Sequence, residues 1–168
     1  MVSYYVLLPL AAVILLNILY VKFVRKQAAL LCAIIPLIQL GSLICCPLFR
    51  QHGASHWLPV SMPVVDGLSM LFLIIIALIT FIVLIFGHAT LPEQHRFAFA
   101  NLLLLSMAAM SGVVTAGDIF SVYVFLEGVA ISSFILIAFH RDKEPLEGSF
   151  KYLLLSSCLL YTSPSPRD

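Results

Sequence analysis

Few residues in this chain can do chemistry, and two of them stand inside apolar runs. Glu127 lies near the middle of a run from Asp118 to Phe139, and its nearest charged neighbours are Asp118 and Arg141. A helix of about 22 residues crosses a hydrocarbon core roughly 30 Å thick. A charge at mid-depth costs about 2.5–3.5 kcal/mol on insertion scales. Two roles fit such an acid. One is a station on a proton or ion path; the other is a protonated structural acid hydrogen-bonded to a neighbouring helix, since burial favours the neutral carboxyl. Intramembrane acids are functional by default, so the first role is the expectation. Lys151, in the next apolar run, has two roles of equal standing. It snorkels to the interface, or it relays protons, because a desolvated ammonium gives its proton up more readily.

The remaining polar residues read as boundary markers. Asp66 and Asp118 each open an apolar run and suit an N-cap, where a carboxylate accepts from free backbone amides and complements the helix dipole. His88, His95 and His140 flank run ends, and His52 and His56 share a polar connection. All five suit interfacial positions, and His140 is also placed to take up protons from the adjoining surface. Arg141, Asp142, Lys143, Glu144 and Glu147 read as a solvated loop. Cys32, Cys45, Cys46 and Cys158 lie in apolar segments without C-x-x-C pairing, so they read as small buried hydrophobes rather than metal or redox groups. There is no phosphate-binding loop, H-E-x-x-H or G-x-S-x-G motif, so neither a nucleotide, a metal nor another cofactor is expected.

Composition says what positions these residues. The chain is 62% hydrophobic and 10% charged, where soluble domains are about 45–50% apolar and about 25% charged. This is the composition of an integral membrane protein. A net charge of +1 and no basic stripe argue against a nucleic-acid partner. The expected fold is all-α: a polytopic transmembrane helix bundle of about five complete helices and a truncated sixth. The segments run from about Ser3 to Val21, Ala28 to Phe49, Asp66 to Phe86, Phe97 to Thr115, Asp118 to Phe139, and from Ser149 onward. Pro36 is expected to kink the second. The first lacks a preceding basic region, so it reads as a retained helix rather than a cleaved leader. On the fifth, Ser121, Gly128 and Ser132 share a narrow stripe that lets a neighbour approach closely, and Glu127 points about 100° away from it.

Loop charges orient the bundle. Lys22, Arg25, Lys26, Arg96, Arg141 and Lys143 fall on one side and Arg50 alone on the other, six against one. By the positive-inside rule the N-terminus faces away from the cytoplasm, as in a bacterial inner membrane. The sixth segment, about 13 residues to Tyr161 or roughly 20 Å, then meets TSPSPRD. The final CLLYTSPSPRD resembles translated sequencing-adapter DNA, so 158–168 is read as a non-native tail and the chain as an N-terminal fragment.

The DGLSMLF opening of the third segment, the AGDIFSVYVFLE stretch and EGSFKYLL together resemble a known family. It comprises the antiporter-like membrane subunits of respiratory complex I (NADH-quinone oxidoreductase), Mrp-type cation/proton antiporters and membrane-bound hydrogenases. The likeness spans roughly Val64 to Ser157. The mid-helix acid followed 24 residues later by Lys-Tyr is its specific part. The resemblance implies a division into 1–63, two helices and a non-cytoplasmic loop, and 64–157, the start of the translocating domain. It implies that Glu127 is the switching acid of a proton channel and that Lys151 matches the sixth-helix lysine. The acid's partner is implied to be a lysine on a seventh helix. Partners would be other membrane subunits of a complex, the bilayer, and protons or Na⁺; the chain itself holds no redox centre. A reading of another class is a non-transporting membrane scaffold with Glu127 as interhelical glue.

Overall fold

The structure is a computed structural model, and it describes residues 3–18, 32–43, 66–140 and 143–161. Among these residues there are helices and no strands. Helix α1 is Ser3–Ile18, α2 is described over Cys32–Leu43, α3 is Gly67–Thr90 and α4 is Glu93–Thr115. Helix α5, Ile119–Ile137, passes through a 3-10 turn, Ala138–His140, towards α6, Lys143–Tyr161. Helices α3, α4 and α5 are each long and apolar enough to cross a membrane. Cys45, Cys46, His52, His56 and the tail from 162 onward lie outside the described residues.

Several boundaries depart from the sequence reading. Helix α3 continues through Gly87–Thr90 and α4 begins at Glu93, so Leu91 and Pro92 alone connect them. Pro92 occupies the N-cap and Glu93 the first turn, where an acid complements the dipole. Helix α6 starts at Lys143, six residues before the expected Ser149. Glu144 and Pro145 explain this: an acid suits a first turn, and proline is tolerated where no backbone N–H is required. Of the residues read as a solvated loop, Lys143, Glu144 and Glu147 belong to the first turns of this helix, and Arg141 and Asp142 lie outside the described residues.

Helix α4 lies at the centre and packs against α1, α3 and α5. Its buried side includes Ala100, Leu104 and Met107, which meet Cys32, Ala33 and Ile35 of α2 and Ala77 and Leu84 of α3. Helix α3 shows how the bundle chooses its faces. Leu73, Ala77, Thr80, Leu84 and Gly87 are buried, while Leu71, Ile75, Leu78, Ile82 and Ile85 form an exposed stripe on the other side. Both stripes are apolar, as expected of a helix set in hydrocarbon. Smaller residues mark the packed one: a side chain at Gly87 would collide with the Phe99 ring of α4. Between α2 and α4, the buried Gln39 amide donates to Ser111 Oγ over 3.4 Å. Gln39 Oε1 has no hydrogen-bond partner among the described residues.

Candidate intramembrane site around Glu127

Helix α5 begins with a built cap. Asp118 accepts from the Ser121 backbone N–H at 2.8 Å and from Ser121 Oγ at 2.7 Å. Asp66 also takes the N-cap position, with extended backbone, but its side chain makes no capping bond. Its backbone carbonyl accepts from the Met70 N–H, as the Asp118 carbonyl does from the Val122 N–H. The expectation of a capping carboxylate therefore holds at Asp118 and not at Asp66.

From this cap the helix runs into the bundle with its small-residue face on α4. A Cβ at Gly128 would sit 3.3 Å from Ala109 Cβ, and the Phe125 ring fills the space a side chain at Gly112 would need. Ser132 is fully buried. Glu127 is one residue, or about 100°, round from Gly128, and is half-buried. No hydrogen bond or ion pair reaches it from the described residues. Tyr123, Val124 and Ile131, a turn away on either side, are exposed.

Glu127 also shares a line with Ile131, Phe134 and Ala138, spaced four, three and four residues, which keeps them on one face. The lower part of that line borders a groove of about 800 Å³ between α4, α5 and α6. Phe134 of α5, Ala138 of the 3-10 turn, Ala98 and Leu102 of α4 and Leu146 of α6 form its walls, and His95 stands among them at the first turn of α4. The imidazole meets the Phe139 ring edge-on, with centroids 5.9 Å apart. Of the three residues singled out for transport, the side chain of His140 lies outside the described residues. Sequence reasoning treated His95 only as an interfacial residue. Its relation to α5 needs three helices in place, and spacing along the chain does not show it.

Lys151 sits elsewhere. Its Nζ pairs with Glu147 Oε1 at 2.6 Å, and both side chains are 68% exposed. Ser149 is buried, and the described neighbours of α6 are α5 and the 3-10 turn. Lys151 is two residues, about 200°, round from Ser149, so it faces away from α5. Counted from the start of α6 it stands about two turns in. The structure thus places Glu127 and Lys151 on adjacent helices without bringing their charges together. Among the described residues no group of His, Cys, Asp and Glu is arranged to hold a metal ion.

Curated proteins similar to this chain name its relatives. It is 33% identical over 110 residues to NADH-quinone oxidoreductase subunit N of Helicobacter hepaticus, covering 64% of the chain and 21% of that protein. It is 30% identical over 162 residues to Na(+)/H(+) antiporter subunit A1 of Staphylococcus haemolyticus, covering 90% of the chain and 20% of the relative. With the same subunit of Staphylococcus aureus strain JH9 it shares 34% identity over 93 residues, 54% of the chain and 12% of the relative. The chain thus spans about a fifth or less of the length of the curated relatives it matches. No family model and no solved structure matches it. Together with three membrane-length helices among the described residues, these likenesses identify an integral membrane protein whose curated homologues are antiporter-like membrane subunits of NADH-quinone oxidoreductase and Na⁺/H⁺ antiporter.

Proposed function

We propose that this chain is part of a proton-translocating, antiporter-like subunit in which Glu127 is the switching acid. The observation that carries the reading is the half-buried carboxyl on α5, which no described residue pairs with. A carboxylate there needs a cation or water to be stable, and a carboxylic acid does not. Approach of an ammonium favours the carboxylate; its withdrawal in a low dielectric favours the acid. Alternating the two takes a proton from one side and delivers it to the other. The ammonium comes from a helix outside the described residues, since Lys151 is engaged with Glu147 on the far side of α6.

The host is a multi-subunit complex in a bacterial inner membrane, with the N-terminus on the non-cytoplasmic side. Redox chemistry in other subunits, or an Na⁺ gradient, supplies the energy. Residues 64–157 form the start of the translocating domain, residues 1–63 flank it, and 158–168 are foreign to it. In vesicles carrying the complete complex, Glu127→Gln is expected to abolish proton pumping while leaving assembly intact. Unchanged pumping by that variant removes Glu127 from the mechanism.

A further inference from the structure

We infer that His95 is the proton-collecting group at the mouth of the α4–α5–α6 groove and supplies protons towards Glu127. Among the described residues that line the groove, His95 alone carries an ionisable side chain; the others are alanine, leucine, isoleucine and phenylalanine. An apolar wall offers a proton no competing base. An imidazole can both take up and give up a proton, and this one belongs to an exposed residue while its ring rests against Phe139. The groove follows the α5 line that leads to Glu127: Ala138 and Phe134 border it, and Glu127 lies two turns beyond Phe134, about 10 Å along the axis.

The neighbouring charges leave His95 available. Arg96 donates from Nε to the Leu91 carbonyl at 2.8 Å, and Lys151 and Glu147 pair with each other. Glu93 and Arg96 stand beside His95 in the first turn of α4, and Lys143 and Glu144 open α6 across the groove. The first turns of both helices thus bring water-seeking groups to the mouth. The step balances simply. A ring nitrogen lone pair takes a proton from hydronium or a buffer acid, giving imidazolium and leaving water or the buffer base. The imidazolium then releases a proton to a water in the groove and returns to the neutral ring, so one proton has moved inward.

This inference rests on the proposed role of Glu127, and one experiment separates the two. In vesicles carrying the complete complex, His95→Ala is expected to slow proton uptake at least about tenfold, and added imidazole to restore most of the rate. His95→Gln keeps a polar side chain of similar size beside Phe139 and is expected to be equally slow, so it serves if the alanine variant fails to assemble. Wild-type rates in these variants, or a loss that imidazole does not repair, overturn the role of His95. Normal pumping by Glu127→Gln in the same vesicles overturns the parent reading instead.

Discussion

Asp118 and Asp66 show how much one side-chain contact decides. Both precede an apolar helix and both take the N-cap position. Each has a serine three residues on, but Ser121 Oγ donates to Asp118 whereas Ser69 Oγ donates to the Val114 carbonyl of α4. Hydrogen bonds from the Ser121 side chain and backbone hold the Asp118 carboxyl below its ordinary value near 3.8. A carboxyl depressed in the folded state contributes stability that is complete above its unfolded pKa and is lost as pH falls through the folded one. The thermal midpoint of the protein is therefore expected to exceed that of Asp118→Asn near neutral pH, with the gap closing as the pH falls below the ordinary carboxyl value. A pH-independent gap, or none, would show that the cap does not act through its charge. The candidate caps were legible in the sequence because aspartate before an apolar run is a local feature. Which one bonds was not, because a rotamer decides it. His95 was illegible for a different reason: its chemistry depends on residues some forty positions away.

At the scale of elements, small residues govern how α4 and α5 meet. The Phe125 ring occupies the place of a Gly112 side chain, and Gly128 lies against Ala109. Gly112→Ala is expected to cost about 1–3 kcal/mol through overpacking. Gly148→Ala, where nothing lies within 4 Å, is expected instead to stabilise α6 by roughly 0.5–1 kcal/mol. Unfolding of the detergent-solubilised protein checks both, and equal effects at the two glycines would contradict the packing described. The existence of the helices and the stripe of Gly128 and Ser132 were readable from run length and spacing. The packed face of α3 was not, because aliphatic residues surround it on every side and hydrophobicity carries no direction there. The start of α6 was missed because charges, an acid and a proline fit a loop and a first helical turn equally well.

On the scale of the whole molecule, the described helices leave one side of α5 uncovered. Tyr123, Val124 and Ile131 are exposed beside Glu127, and the described helices supply no counter-charge to it. The resemblance through Glu127 and Lys151 was legible because acid, spacing and Lys-Tyr recur as a unit. The structure adds that α6 turns Lys151 towards Glu147 and away from α5, so on the proposed reading the partner of Glu127 comes from outside the described residues. The account therefore stands on a carboxyl that changes protonation during turnover. Infrared difference spectroscopy of the assembled complex reads that change directly, as a carboxylic C=O band that appears and disappears when transport is driven. The account predicts such a band in the wild type and its loss in Glu127→Gln. A turnover-dependent carboxyl band that survives the substitution unchanged, or a Glu127 that stays in one protonation state while the complex pumps, would contradict it.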